Sequence, residues 1–155
     1  MKMRTLAPSL IVYLTPHLHK ALPRILEKIT QSGARILAMT ETLEQASALD
    51  QVLWTYTPLS FLAHGCQGKD GDPENHPLWI TTQDTLENAN NGDVLALVDI
   101  KNVPGILKKF QKIVLILSPE DKDSALDFIP QCSQVTFWSQ TPEGWKSLDD
   151  QAESQ

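Results

Sequence analysis

Three features that would each indicate a particular class of protein are scarce or missing in this 155-residue sequence. It has only two cysteines, Cys66 and Cys132, too few for a disulfide framework, which favours a reducing compartment and a cytoplasmic protein. No apolar run approaches the ~20 residues of a membrane-spanning helix. Basic residues are outnumbered, 13 against 19 acidic ones, so the formal net charge is −6. This balance argues against a protein whose main task is to bind phosphates, because such binding requires a clustered basic surface.

Glycine patterns that bind nucleotides are also missing. The segment GCQGKDG (65–71) contains Lys69, but Asp70 follows it where a phosphate-binding loop requires Ser or Thr, and the glycine spacing differs. The first predicted strand is followed by TPHLHK, which has no glycine to allow close approach to a pyrophosphate. The sequence therefore predicts no nucleotide cofactor.

Candidate metal ligands and nucleophiles do not fall at useful spacings. The histidines and the cysteine in question lack the paired C-x-x-C or H-x-x-x-H spacing of zinc ligands; they are His17, His19, His64, Cys66 and His76. Cys66 and His64, two residues apart, are poorly placed for a nucleophile–base pair. We therefore expect neither a metal site nor catalytic residues.

What the sequence does contain is an alternation of apolar strands with amphipathic helices. Strands are predicted at 9–14, 34–40, 77–82, 93–99, 112–118 and 134–140. Helices are predicted at 17–33, 40–54 and 119–129, with a short one within 101–110. Pro23 suggests that the first helix starts near Ala21, and Gly33 is a suitable stop.

This alternation predicts the fold class. Apolar runs such as VLALV and IVLIL are typical of parallel strands that are buried on both faces. The predicted fold is α/β, a three-layer Rossmann-like sandwich with a mostly parallel central sheet. We expect a single domain over residues 1–148 and a flexible acidic tail over 149–155.

The helix at 40–54 ends in an aromatic residue that does not share its apolar stripe. The stripe, which we expect to be core, consists of Leu43, Ala46, Leu49 and Leu53, and Thr40 is a candidate N-cap. At ~100° per residue, Trp54 lies about 85° from the centre of that stripe, so it is expected to be partly exposed. The acidic residues of this helix are expected on its solvated face: Glu41, Glu44 and Asp50.

The segment around this aromatic carries a family resemblance. LDQVLW, followed by SF and then by a histidine, resembles the chi subunit of bacterial DNA polymerase III, in which a helix ends in L-D-x-x-L-W before a loop with S-F-x-x-H. The matching positions are Leu49, Asp50, Leu53, Trp54, Ser60, Phe61 and His64. DVLALVD and QVTFWSQTPEGW are similar to the family's middle strand and closing region.

The resemblance implies a non-catalytic adaptor of the replication machinery, with no cofactor. Chi proteins are partners of the psi subunit of the clamp loader and of single-stranded DNA-binding protein, and the same surface can serve a helicase partner. The family's aromatic docking pair corresponds to Trp54 and Phe61. The alternative for these two residues is that both cover the edge of the protein's own core.

One segment departs from the family. Members that hold the acidic tail of single-stranded DNA-binding protein use a basic helix before the last strand, because a carboxylate-rich peptide requires cations. Here segment 119–130 carries four acidic residues and only Lys122, so this site does not carry over. The local basic cluster is instead Lys108, Lys109 and Lys112, which could substitute or could simply be a solvated helix end.

Two other functions stay open. A small hydrolase or nucleotide-binding protein would have its site at the carboxyl ends of the strands, where the candidate residues are Thr15, Thr40, Asp99 and Ser118. Direct binding to DNA is disfavoured by the acidic balance of the chain.

Overall fold

A computed structural model describes residues 7–55, 64–67, 72–84 and 87–148 of the chain. The strands in these ranges are β1 (Ser9–Leu14), β2 (Ile36–Thr40), β3 (Gly65–Cys66), β4 (Leu78–Thr82), β5 (Val94–Val98), β6 (Lys112–Leu117), β7 (Gln134–Thr141) and β8 (Gly144–Ser147). They form a single sheet in the order β3-β4-β2-β5-β6-β1-β7-β8. The neighbouring strands are parallel except for the antiparallel pair β7–β8. The predicted α/β class with a mostly parallel sheet is confirmed.

Helical segments cover both faces of the sheet. The α-helices are α1 (Leu18–Gln31) and α2 (Leu43–Trp54), and the 3₁₀ helices are Pro73–Asn75, Gly105–Lys109, Pro119–Asp127 and Ile129–Gln131. One core cluster joins α1 and α2 to one face of the sheet. A second cluster joins the opposite face to the 3₁₀ segments through Ile106, Leu107, Phe110, Ala125 and Phe128. These layers form the three-layer sandwich expected from the sequence.

The central strands are buried along their whole length. Every residue of β2, β4 and β5 is buried, and so is every residue of β6 after Lys112. Because both faces of these strands lie under helical layers, their sequences do not alternate between apolar and polar residues. The apolar runs VLALV and KIVLIL are therefore explained by the two core clusters.

The start of α1 was predicted wrongly, since the helix begins at Leu18 rather than near Ala21. The backbone N–H groups of Lys20 and Ala21 donate to the carbonyl of His17, which closes the first turn before Pro23 is reached. Pro23 therefore lies inside the helix, on its buried side. The end of α1 was predicted correctly: Gly33 has a φ of +93°, a conformation that glycine adopts at little cost.

The start of α2 also differs from the prediction. The N-cap is Thr42 rather than Thr40, and it forms a capping box with Gln45, in which each side chain accepts from the other residue's backbone N–H. Thr40 instead ends β2, where its buried hydroxyl donates to the carbonyl of Thr42. Leu43, predicted to be core, is 57% exposed, because it is the first residue of the helix and projects beyond the cluster that buries Ala46 and Leu49.

Segments at the two edges of the sheet hold further differences. The stretch after residue 55, predicted to be irregular, contributes the short strand β3, and the region after β7, in which no strand was predicted, contributes β8. Segment 119–129, predicted to be an α-helix, is a 3₁₀ segment with a kink at Asp121. The segment has few apolar side chains to fix a regular amphipathic helix, and its buried residues are Ala125 and Phe128. The predicted tail at 149–155 lies outside the described residues.

Candidate partner-docking site

Trp54, the last residue of α2, is largely exposed. Its exposed fraction is 53%, and the other large hydrophobic side chains exposed within the described ranges are aliphatic, Leu43 and Leu126. The exposure follows from helical geometry: α2 buries Ala46, Leu49 and Leu53, and Trp54 lies to the side of that stripe. An exposed indole is uncommon enough on a protein surface to mark a candidate contact for another molecule.

The indole of Trp54 is seated on a buried histidine. Its ring centroid lies 4.5 Å from that of His64, with an angle of 49° between the ring planes. His64 is only 4% exposed, so one side of Trp54 faces the protein interior while much of its remaining surface faces solvent. A tryptophan held in this way loses little conformational freedom when a partner covers it, which favours tight binding.

His64 is held in place by α2 and by the short strand β3. Its Nε2 lies 3.0 Å from Oδ1 of Asp50, and both side chains are buried. His64 directly precedes β3, which pairs with β4, and the Cys66 thiol contacts the carbonyl of Ala46 at 3.8 Å. The chain is therefore held against α2 at His64 and again at Cys66. This arrangement defines a docking corner, which we name from its three side chains, Trp54, His64 and Asp50.

The prediction that Asp50 lies on the wet face of α2 was wrong. Asp50 is 3% exposed, because its carboxylate turns toward His64 rather than toward solvent. Helical geometry carried a signal for this position: at ~100° per residue, Asp50 lies about 45° from the centre of the apolar stripe, closer than Trp54 does. An acidic residue so near the stripe, in a motif that ends with a histidine, points to a buried polar pair.

Phe61, the second residue of the predicted docking pair, lies outside the described residues. The structure therefore places one of the two predicted site residues, Trp54. It brings Trp54 together with two positions of the quoted motif, Asp50 and His64, to which no role had been given.

The acidic segment and the basic cluster lie on the opposite face of the sheet from α2. Leu126, in the 3₁₀ helix Pro119–Asp127, is 58% exposed among acidic neighbours. Lys108, Lys109 and Lys112 are all exposed, and two of them line an open cavity of about 460 Å³ that also includes Asp93. All three cations therefore lie on the surface of the protein.

Three of the four residues proposed for an enzyme site make hydrogen bonds or an ion pair within the protein. The hydroxyl of Thr15 donates to the side-chain oxygen of Gln140, and that of Thr40 to backbone carbonyls. Asp99 has a φ of +54°, and its Oδ1 lies 3.3 Å from Nζ of Lys101. The cavity beside Asp99 and Thr40 holds about 100 Å³, below the roughly 300–1,000 Å³ of typical ligand pockets. Ser118 is the N-cap of the 3₁₀ helix that starts at Pro119 and makes no side-chain capping bond.

Two further observations on the described ranges concern metal binding and membrane spanning. No group of three or more His, Cys, Asp and Glu side chains is arranged there to hold a metal ion. Among the helices of the described part of the chain, none has the length and apolar character to cross a membrane.

Comparison with known proteins agrees with the resemblance found in the docking segment. A sequence model of the DNA polymerase III chi subunit family (HolC) matches residues 10–127, from β1 through the 3₁₀ helix Pro119–Asp127. A protein of Rickettsia prowazekii (strain Madrid E), the probable DNA polymerase III subunit chi, is 29% identical over 141 residues, which cover 83% of this chain and 84% of that protein. The family match spans well over half of the chain and confirms the predicted resemblance. The chain therefore belongs to the DNA polymerase III chi subunit family, with an accessory role in DNA replication and an association with the polymerase complex.

Proposed function

We propose that this protein is a non-catalytic, cytoplasmic adaptor that links the clamp loader, through a psi subunit, to single-stranded DNA-binding protein. The observation that carries the proposal is the docking corner, in which an exposed tryptophan is seated on a buried His–Asp pair. An adaptor requires a preformed surface from which a partner can exclude water, and the exposed ring at this corner offers such a surface. A helicase that competes with psi for the same corner is compatible with the proposal.

Trp54 is proposed as the central contact for psi and Phe61 as the second contact. Tryptophan at an interface contributes a large apolar area with few rotatable bonds, and truncating such a residue often costs more than 1–2 kcal/mol of binding free energy, roughly ten-fold or more in affinity. The exposed half of Trp54 supplies that area in this molecule.

The contact with single-stranded DNA-binding protein is proposed to use a surface other than segment 119–130. That segment carries Glu120, Asp121, Asp123 and Asp127, which would repel an acidic tail. The exposed lysines Lys108, Lys109 and Lys112 are the proposed replacement, because charge-assisted contacts to carboxylates need cations at the surface.

The test of the psi contact is a binding titration with purified psi from the same source. We expect Trp54→Ala and Phe61→Ala each to weaken capture by about ten-fold or more while the far-ultraviolet circular dichroism spectrum stays unchanged. Isothermal titration calorimetry gives the affinity of each variant.

Leu43→Ala is the matched control for this test. Leu43 is 57% exposed and lies on the same helix, at the end opposite to Trp54. We expect its affinity for psi to match that of the unmodified protein. If both aromatic variants bind psi as tightly as the Leu43→Ala control does, the docking assignment is wrong.

A further inference from the structure

A second candidate binding surface lies along α1, and it is basic. Lys20, Arg24 and Lys28 follow one another at four-residue spacing, so they project from one side of the helix, and all three are exposed. Glu27, at the edge of this stripe, is the acidic residue of α1. Within the described ranges, no ion pair joins these three cations to a carboxylate. The sequence indicated one local basic cluster, at 108–112. The structure corrects this expectation, because α1 brings together on one side three cations that are four residues apart in the sequence.

Aromatic rings form the floor beside this stripe. Tyr13 of β1, Trp138 of β7 and Trp145 of β8 line a cavity of about 240 Å³ together with Arg24 and Lys28. In the sheet register Tyr13 is paired with Trp138, and the ring of Tyr13 meets that of Trp145 edge to face, with centroids 5.3 Å apart. The three aromatic residues are neither buried nor fully exposed, so their rings retain surface for a ligand.

The groove continues toward the start of α1. A second cavity, of about 560 Å³, shares Arg24 and Trp145 with the first and adds Lys20 and His17. At 1.5 Å per residue, successive cations at four-residue spacing lie ~6 Å apart along the helix. The surface is therefore an extended groove with a cationic wall and an aromatic floor, which we call the α1 groove.

We propose that the α1 groove binds single-stranded nucleic acid. Proteins that hold single strands combine a positively charged groove, which follows the phosphates, with aromatic side chains on which bases stack. Cations ~6 Å apart suit an extended strand, whose phosphates are further apart than the ~3.4 Å axial spacing along a duplex strand. An acidic peptide would match the cations but would leave most of the flat aromatic floor without a stacking partner.

The net charge of −6 does not contradict this groove. Net charge is a property of the whole chain, whereas binding at a groove depends on the charges within about one Debye length, ~8–10 Å in physiological salt. The acidic residues of segment 119–130 belong to the layer on the opposite face of the sheet from α1. The groove therefore presents a local basic surface on an acidic protein.

The test uses the full chain and a fluorescein-labelled oligodeoxythymidine, with no partner protein present. We expect a saturable rise in fluorescence anisotropy at low salt and partial quenching of tryptophan emission from the groove. With two to three phosphate contacts, the logarithm of the binding constant should fall against the logarithm of the salt concentration with a slope of about −1.4 to −2.

Three variants locate the binding on the molecule. Arg24→Glu/Lys28→Glu should weaken binding by about ten-fold or more, because it reverses the charge of the groove wall. Lys122→Glu reverses a charge on the opposite face of the sheet, and we expect it to weaken binding by at most about two-fold, because long-range repulsion is largely screened at physiological salt. Trp145→Leu, which keeps an apolar side chain but removes the ring, should weaken binding by about five-fold or more.

Three results would overturn the proposal. One is the absence of saturable binding by the unmodified protein at low salt. Another is an equal loss of affinity in the two charge-reversal variants, which would show binding without a defined site. The third is tighter binding of a labelled acidic peptide with a C-terminal phenylalanine than of the oligonucleotide, which would assign the groove to a protein ligand. None of these measurements involves psi or Trp54, so their outcome is separate from that of the psi titration.

Discussion

Trp54 and Trp79 each pack against a histidine, yet the burial within the two pairs is reversed. Trp54 is 53% exposed and lies over the buried His64, whereas Trp79 is 5% exposed and lies under the half-buried His76. The centroid distances are similar, 4.5 Å and 5.5 Å. Trp79 belongs to β4, whose two faces are covered, and Trp54 ends a helix at the edge of a layer.

Under the proposed function, a tryptophan–histidine pair serves folding at Trp79 and recognition at Trp54. Burying Trp79 among its own chain's side chains contributes to the stability of the monomer. The solvent-exposed part of Trp54 contributes little to that stability. The polar Asp50–His64 pair beneath Trp54 fixes the position of the ring without covering it.

The largest loss of stability is expected for the buried tryptophan, Trp79. Trp79→Ala should lower the free energy of unfolding by about 3–5 kcal/mol, because it leaves a cavity in the cluster that packs against the 3₁₀ layer. Urea denaturation followed by circular dichroism measures this loss. A loss no larger than that of Trp54→Ala would remove the distinction between the two pairs.

An intermediate effect is expected for the residue that holds the histidine. Asp50→Ala leaves a buried ring nitrogen of His64 without its carboxylate, which should cost about 1–3 kcal/mol of unfolding free energy and also weaken psi binding. Gln51→Ala, at the next and exposed position of α2, is the control and should stay within about 0.5 kcal/mol of the unmodified protein. Equal stabilities of the two variants would show that the pair does not support the corner.

The smallest effect on stability is expected for Trp54→Ala, at most about 1 kcal/mol, because about half of the side chain that packs on His64 is already exposed to solvent. The same urea titration measures it. A loss as large as that of Trp79→Ala would mean that Trp54 is part of the core, and the ten-fold effect on psi binding could then be a consequence of unfolding.

Several parts of the fold could be read from local patterns. The six longer strands were predicted because their runs of apolar, β-branched residues are incompatible with a solvated position, and the chain's alternation of strands with helices implies a parallel sheet. The ends of α1 and α2 were less certain, because competing caps such as Thr40 and Thr42 differ only in the contacts that the rest of the chain offers. The two-residue β3 is too short to show a period. Segment 119–129 was wrongly predicted to be an α-helix, because Pro119 and the acidic residues after it indicate the start of a helix but not its type.

The sequence by itself determined the fold class, the family and the position of Trp54 beside the stripe of α2, since all three depend on the order and spacing of residues along the chain. Only the tertiary structure decided that Asp50 turns inward to His64 and that Trp79 is buried in the core. It also decided that Arg24 and Lys28 line one cavity with Tyr13, Trp138 and Trp145. Those relationships join residues from distant segments, and their energies depend on burial and on distances of a few ångströms. Neither quantity exists until the sheet has brought the segments together.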